Sequence, residues 1–453
     1  MLLYLLTGCA PADLIEGSLP ATGYTDLRID TEARGIPPSD VSAVTIGGVP
    51  AFDLSLAADG QLLVTAQGGP SGEAAVILTV DGAEIEVGAL TYDAPVDPIF
   101  ERMVAFGASV TMGFQDGTPT PRAQLTSPVM HLARAAGAWL PLPLFHDDLW
   151  DALSIEDIGP APECAIGTGS FTTNATLSVL TEMADPETGE LDFTRARVTP
   201  TVEPRNLAIG NFRIHQIVHG APPTDPAYAL LTYLAFQNDS TGLGSDTGPS
   251  QLDRLEALEP TIIVSTDLYG NDLLGPVLPT DGVDFDRLTE EADFTADLEE
   301  TLDRLAATGA EVFLANIPRV DRLPRIAQVH HDPDELAIVL ERAERFNALL
   351  SEHAAAHDTI HIVDTYQYVE DHPDGLVTDR FTLSLGTLGG LISFDGVHFS
   401  DTGNALVTQL FIEAIEDTLG VDFPELPLAS ILARDPHSPF VLEVHGRDPA
   451  ACD

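Results

Sequence analysis

The chain has 453 residues, which at about 150 per domain suggests two or three domains; 44% of it is apolar, enough to build real cores. Its 71 acidic side chains against 20 basic ones leave a formal charge of −51, which repels phosphate backbones and anionic lipid head groups and argues against a nucleic-acid partner. The acidic residues are spread through ordinary hydrophobic periodicity, unlike those of a disordered polyelectrolyte. Every basic residue is Arg, as salty surroundings or GC-rich coding would each produce, and neither bears on chemistry. No apolar run approaches the roughly 20 residues that span a bilayer. Cys9, Cys164 and Cys452 form neither a disulfide scaffold nor a zinc cluster, since no two share ligand spacing.

Residues 1–19 open on a short apolar run ending Leu6-Thr7-Gly8-Cys9. This run resembles a bacterial lipoprotein signal, with Cys9 as the residue that receives lipid and the following residues as a tether. It lacks the usual positive start and is shorter than the usual apolar region, and a start codon further upstream would explain both. The resemblance implies a protein of the bacterial cell envelope, held at a membrane only through Cys9, or a secreted one. Cys164 and Cys452 are then left as a possible disulfide in an oxidising compartment.

Residues 20–94 read as all-β. Short β-branched runs such as Val44-Thr45-Ile46, Leu62-Leu63-Val64-Thr65 and Val76 to Val80 are separated by Asp59-Gly60 and Asp81-Gly82, pairs suited to tight hairpin turns. The stretch Val44 to Ala51, the run ADGQLLVTA and the closing ALTYDAP resemble an immunoglobulin-like TIG (IPT) module. That resemblance implies a β-sandwich, read here as a spacer.

After the linker Pro95–Pro98, strands alternate with helices, the mark of an α/β domain with a covered parallel sheet, here 99–425. Buried strands are expected at Met103–Phe106, Thr261–Ser265, Glu311–Ala315 and Ile360–Val363. One helix begins at Ser127-Pro128, with Ser as cap and Gly137 as stop. Others are expected over about 290–308, 334–356 and from Ser400 to Gly420, each with an apolar stripe at helical spacing. Residues 138–204 and 220–250 read as long loops, the kind that often wall or cover a site. Residues 426–453 read as a Pro-rich tail on the domain surface.

Four pieces carry chemistry. Ser109 follows the first buried strand among small neighbours (Phe106-Gly107-Ala108-Ser109), at a sheet edge where a ligand can approach. Asp395-Gly396-Val397-His398 puts a carboxylate three residues before an imidazole. One turn brings it to Nδ1 and leaves Nε2 free to take a proton from a hydroxyl. Asn271 lies beyond the strand ending at Ser265 and can aim an amide at a developing oxyanion. In Asn206-Leu207-Ala208-Ile209-Gly210, glycine lets a backbone N–H approach the same point.

In chain order, Ser, Gly, Asn and then Asp-x-x-His, the four pieces resemble the SGNH (GDSL-type) hydrolases, a family of esterases and lipases; the most specific match runs from Asp395 to Leu406 (DGVHFSDTGNAL). Flanks agree at Asn316-Ile317-Pro318, Leu323-Pro324 and Arg345 to Leu350. The resemblance implies a flavodoxin-like sheet with flanking helices, and hydrolysis of carboxylic esters through an acyl-serine. By carry-over, Ser109 is the nucleophile, His398 the general base and Asp395 its orienting partner. The N–H groups of Ser109 and Gly210 and the amide of Asn271 make the oxyanion hole. A small-molecule or lipid ester is implied as substrate, with no metal or cofactor. The same machinery also fits an acyltransferase or a polysaccharide deacetylase, and a non-catalytic adhesion protein is the rival from another class.

Two positions depart from the family's pattern. Ala108 stands where the family more often has the Asp of Gly-Asp-Ser, and Tyr269 where a Gly is usual. Other candidates are weaker. Gly167-Thr168-Gly169-Ser170 lacks the Lys of a phosphate loop. His330-His331-Asp332 are adjacent, so their side chains do not readily converge on an ion. The absence of G-x-S-x-G argues against the α/β-hydrolase elbow.

Overall fold

A computed structural model describes residues 18–21, 24–31, 35–57, 60–146, 152–154, 197–198, 202–220, 235–236, 249–279, 282–328, 331–373, 375–377 and 382–444. The three cysteines, His330, Gly167 to Ser170 and most of the two long stretches 138–204 and 220–250 lie outside them. The chain divides into two units, 1–95 and 96–453.

The first unit is all β. Its strands are β1 (Ser18–Leu19), β2 (Tyr24–Ile29), β3 (Val41–Ile46), β4 (Val49–Pro50), β5 (Phe52–Leu56), β6 (Leu62–Gln67), β7 (Gly72–Val80) and β8 (Ala83–Tyr92). One sheet runs β1-β8-β7-β3-β4 and the other β2-β6-β5. All pairings are antiparallel except β1 with β8. Alternate residues of both sheets meet in one core: Ile29 and Val64 from one, Val44, Val76 and Leu78 from the other, all buried. That period-2 pattern makes a sandwich. The β7–β8 hairpin turns on Asp81 (φ 50°) and Gly82 (φ 76°), the consecutive positive φ values that a two-residue hairpin loop needs.

The second unit is α/β. Strands β9 (Met103–Ala105), β10 (Ile262–Ser265), β11 (Glu311–Ala315) and β12 (Ile360–Val363) form a parallel sheet in the order β12-β11-β10-β9. β9 and β10 are fully buried, the signature of a sheet covered on both faces. Beyond β9 the chain at 205–209 adds a fifth, ladder-like segment. Ala105 N–H donates to the Arg205 carbonyl, Leu207 N–H to Ala105 and Ile209 N–H to Gly107, at 2.7–3.1 Å, with a parallel bridge between Ala105 and Asn206. The spatial order is therefore second, first, third, fourth, fifth, as the flavodoxin-like topology requires, with its switch point between β9 and β10.

The helices used below are α1 (Ser109–Met112), α2 (Pro128–Ala136), α3 (Ile214–His219), α4 (Gln251–Ala257), α5 (Gly270–Val277), α6 (Glu291–Ala307), α7 (Pro333–Ala354) and α8 (Asp401–Leu419). On one face of the sheet, Val104, Ile263, Val312 and Leu314 join Phe294 and Leu298 of α6 and Phe346 and Leu350 of α7 in one core. There Phe294 and Phe346 stack at 3.6 Å. The alternate strand residues point to the other face, where α2 and α8 pack and Thr408 Oγ1 donates to the Pro128 carbonyl at 2.9 Å.

Two local expectations change. Ser127 occupies the N-cap position of α2, but its hydroxyl makes no capping bond; its carbonyl accepts from Met130 and His131 N–H, and Pro128 removes one of the unpaired N–H groups of the first turn. The segment expected as a surface tail instead forms short helices at Leu428–Arg434 and Pro439–Val444. Between them Asp435 and His437 are fully buried.

Candidate active site

The site lies where a ligand is expected in such a sheet, at the carboxyl ends of the strands beside the switch point. β9 ends at Ala105, and the chain turns at Gly107 (φ 133°) before starting α1 at Ser109. A Cβ at Gly107 would stand 2.8 Å from Ser265 Oγ and 3.0 Å from Asp267 Oδ1, so only glycine lets the turn close against β10. Gln251 of α4 clamps the same residue, accepting from its N–H at 2.9 Å and donating to its carbonyl at 3.0 Å.

Asp267, which sequence reasoning did not single out, holds the serine turn. Its carboxylate accepts from the N–H groups of Ala108 (3.0 Å), Val110 (2.6 Å) and Thr111 (3.2 Å) and from Thr111 Oγ1 (2.6 Å). Burial pushes its carboxyl up, against the hydrogen bonds from Thr111, Val110 and Ala108. The chain thus lacks a carboxylate immediately before the serine and receives one from the end of the next strand. Among the described residues, the Ser109 N–H, first in α1, makes no bond of its own and is left for an incoming group.

The second half comes from the loop before α8. Ser109 Oγ lies 2.9 Å from His398 Nε2, and His398 Nδ1 lies 2.7 Å from Asp395 Oδ2. Asp395 is buried and fully engaged. Oδ1 accepts from the N–H groups of Val397 and His398, each at 2.8 Å, and Oδ2 from Gly117 N–H at 2.7 Å. Burial alone would raise its carboxyl, but the His398 charge and these bonds outweigh it and hold it well below the usual carboxylate range. For His398, burial works to lower its affinity for a proton, yet Asp395, then Asp267 and Asp116, raise it above the ordinary imidazole value. The imidazole is thus fixed with Nδ1 toward a carboxylate and Nε2 toward a hydroxyl, the arrangement that lets a serine lose its proton as it attacks.

The two expected oxyanion groups fare differently. Asn271 opens onto the cavity beside Ser109. One amide hydrogen goes to the Phe212 carbonyl at 2.9 Å, which fixes the side chain and leaves the other hydrogen available. Gly210 N–H, expected to face the reacting atoms, donates instead to Met112 Sδ at 3.2 Å. Its lack of a side chain serves packing: a Cβ there would lie 2.5 Å from the Phe114 ring, and Phe114 lies 5.5 Å, centroid to centroid, from the His398 ring. Tyr269 does not narrow the site. Its ring is buried against Phe294, and its hydroxyl donates to Asn347 Oδ1 at 2.6 Å.

The cavity that Ser109, Asn271 and His398 open onto is lined chiefly by aliphatic side chains, among them Val110, Leu274, Ile317, Leu323, Leu406 and Leu410. They come from α1, α5, the loop after β11 and α8.

A second aspartate–histidine cluster, with no local signal in the sequence, braces the loops that carry Ser109 and Asp395. His437 Nδ1 lies 3.0 Å from Asp435 Oδ1 and Nε2 lies 2.8 Å from Asp116 Oδ1. Asp116 also accepts from Phe394 N–H at 2.9 Å, and Asp435 Oδ2 from the N–H and hydroxyl of Thr402. The cluster therefore ties the loop after Ser109 to the loop bearing Asp395 and to the start of α8. Burial would discharge His437, but Asp116 and Asp435 win and push it up to about 10, so it is an imidazolium at neutral pH.

Residues 211–413 match the family model described as the SGNH domain (fused to AT3 domains). No curated protein matches the chain. Among solved structures, the chain is similar to an alpha/beta hydrolase enzyme from the metagenome of Lake Arreo, Spain. That likeness has 13% identity, 70% of this chain and 94% of the other covered, and a TM-score of 0.34. It is also similar to a carbohydrate acetylesterase from Xanthomonas citri, at 11% identity, 90% and 74% covered, and a TM-score of 0.28. The family match contains Asn271, Asp395 and His398 and begins after Ser109 and Gly210, which the fold brings to the same sheet edge. Residues 211–413 thus carry an SGNH-type hydrolase domain, in agreement with the resemblance read from the sequence.

Proposed function

We propose that the protein is a serine esterase acting on carboxylic esters with an apolar acyl chain. The observation that carries this reading is the Ser109–His398–Asp395 alignment, 2.9 and 2.7 Å, at the wall of an aliphatic cavity. Ser109 Oγ attacks the ester carbonyl while His398 Nε2 takes its proton. Asp395 holds the imidazole and offsets its charge. The oxyanion is met by Ser109 N–H and the free amide hydrogen of Asn271. The C–O bond breaks, His398 returns the proton to the departing alcohol, and the acyl group stays on Ser109. Water attacks with the same base, the acid leaves, and the serine hydroxyl is restored. None of these steps calls for a metal or cofactor.

The aliphatic lining supports a medium-length acyl group. A wall of Leu, Val and Ile gains about 0.8 kcal/mol per buried methylene, which acetate would not use. Hydrolysis of p-nitrophenyl esters of increasing chain length tests this, and kcat/KM is expected to rise beyond acetate. A fluorophosphonate probe should label the wild type and not Ser109→Ala. Labelling of that variant, or its undiminished turnover, overturns the assignment. We further propose placement at the cell envelope through lipid on Cys9, which rests on the sequence Leu6-Thr7-Gly8-Cys9 alone; metabolic labelling with palmitate, lost in Cys9→Ser, is its test.

A further inference from the structure

Away from the catalytic cavity, α3 and α6 bring three metal-ligating side chains together. His215 and His219 stand one helical turn apart on α3, so they share a face, and their ring centroids lie 4.6 Å apart. Asp297 of α6 reaches between them. Its Oδ2 is 3.1 Å from His215 Nδ1 and its Oδ1 is 3.0 Å from His219 Nε2. All three ligand atoms lie within 4.8 Å of one another. None of these residues lines the catalytic cavity. The Asp297 side chain is only 10% exposed, whereas the imidazoles are 61% and 43% exposed. The carboxylate is therefore positioned by the fold, and the imidazoles are open to entry from solvent.

We infer that His215, His219 and Asp297 bind one divalent transition-metal ion of the zinc class. The donor set selects the ion: two imidazoles and one carboxylate suit zinc, cobalt, nickel or copper, whereas magnesium and calcium favour all-oxygen cages. The spacing agrees. Zinc held at about 2.0–2.1 Å from nitrogen and 2.0–2.2 Å from oxygen separates tetrahedral ligand atoms by roughly 3.4 Å. The two 3.0–3.1 Å contacts, one to each carboxylate oxygen, need to open by a few tenths of an ångström, and the wider separations, none above 4.8 Å, need to close as the exposed imidazoles turn. On binding, each imidazole turns the lone pair of the named nitrogen to the metal and carries its hydrogen on the other nitrogen. Three protein ligands leave a fourth position toward solvent for water. The net charge of −51 raises the local concentration of cations around the chain.

The ion would clamp α3 to α6. α3 follows directly on Phe212, whose carbonyl fixes Asn271, and Ile214 N–H donates to Asp272 Oδ2 at 3.0 Å. The clamp thus stiffens the support of the Asn271 amide. Binding itself does not depend on the esterase reading.

The test uses the full chain, free of any affinity tag and stripped with chelator, titrated with zinc chloride by calorimetry and with cobalt chloride by visible absorption. A single micromolar or tighter zinc equivalent is expected, with a tetrahedral cobalt spectrum and no response to magnesium chloride. His215→Ala and His219→Ala should each weaken zinc binding by at least about tenfold and lose the zinc-dependent rise in Tm. Both positions are exposed, so these variants fold even if Asp297→Asn does not. The inference is overturned if zinc does not bind saturably, or if it binds His219→Ala as tightly as the wild type. Loss of esterase activity in Ser109→Ala with zinc binding intact separates the two readings.

Discussion

His398 and His437 each sit against a buried aspartate, and they differ in the third partner. His398 has a serine hydroxyl at Nε2 and opens onto a cavity. His437 has a second carboxylate there and is completely enclosed. A hydroxyl at Nε2 leaves that nitrogen able to accept a proton. A second carboxylate holds the proton permanently and turns the same ring into a cationic rivet. The comparison teaches that an aspartate–histidine pair acquires its role from what faces Nε2 and from its access to substrate.

Substitutions can break the comparison cleanly. Ser109→Ala or His398→Ala should lower kcat by about 10⁴-fold or more, and Ser109→Ala should leave Tm nearly unchanged, as ester turnover and calorimetry would show. His437→Ala should do the reverse. It strands Asp116 and Asp435 without their cation, at a cost of about 3–5 kcal/mol by the precedent of broken buried pairs. Urea denaturation reads that loss, and the molecules that remain folded should keep turning over. Substantial stability loss in Ser109→Ala, or none in His437→Ala, would dissolve the distinction. Asn271→Ala, which removes one oxyanion donor, should cost about 10²–10³ in kcat with KM little changed.

The smallest and most graded effects are in pH. Because His398 is raised above its ordinary value, kcat/KM should fall on acidification through a pKa above about 6.5. A midpoint at or below that value would contradict the field of Asp395, Asp267 and Asp116. His437 has the opposite consequence. A group raised from 6.5 to about 10 on folding contributes stability that is complete below 6.5 and is lost as pH rises through 10. Denaturation midpoints should therefore decline across that interval in the wild type and stay flatter in His437→Gln.

Much of this was legible in the sequence because it is local. Asp395 and His398 are three residues apart, β9 to β12 are short apolar runs, and α6 and α8 carry apolar stripes ended by glycine. The ladder at 205–209 was not legible as a strand, since only Asn206 forms a bridge and the flanking bonds use the ends of β9. Asp267 escaped because its partners, Ala108 to Thr111, are more than 150 positions away. The same holds for His437, which meets Asp116 across 321 positions, and no residue pattern marks such a pairing. Gly210 was read for its N–H when its missing side chain matters more, because the Phe114 ring occupies that space.

The rivet at His437 also sets an order of events during synthesis. A ribosome delivers Ser109 and the loop at Asp116 early, the Asp395 loop much later, and Asp435 and His437 later still. Until those two residues emerge, the two loops are joined by direct bonds such as Gly117 N–H to Asp395 and Phe394 N–H to Asp116, without the buried cation between them. Full stability is thereby linked to translation past position 437, and chains cut short before it should unfold at lower urea concentration than the whole chain.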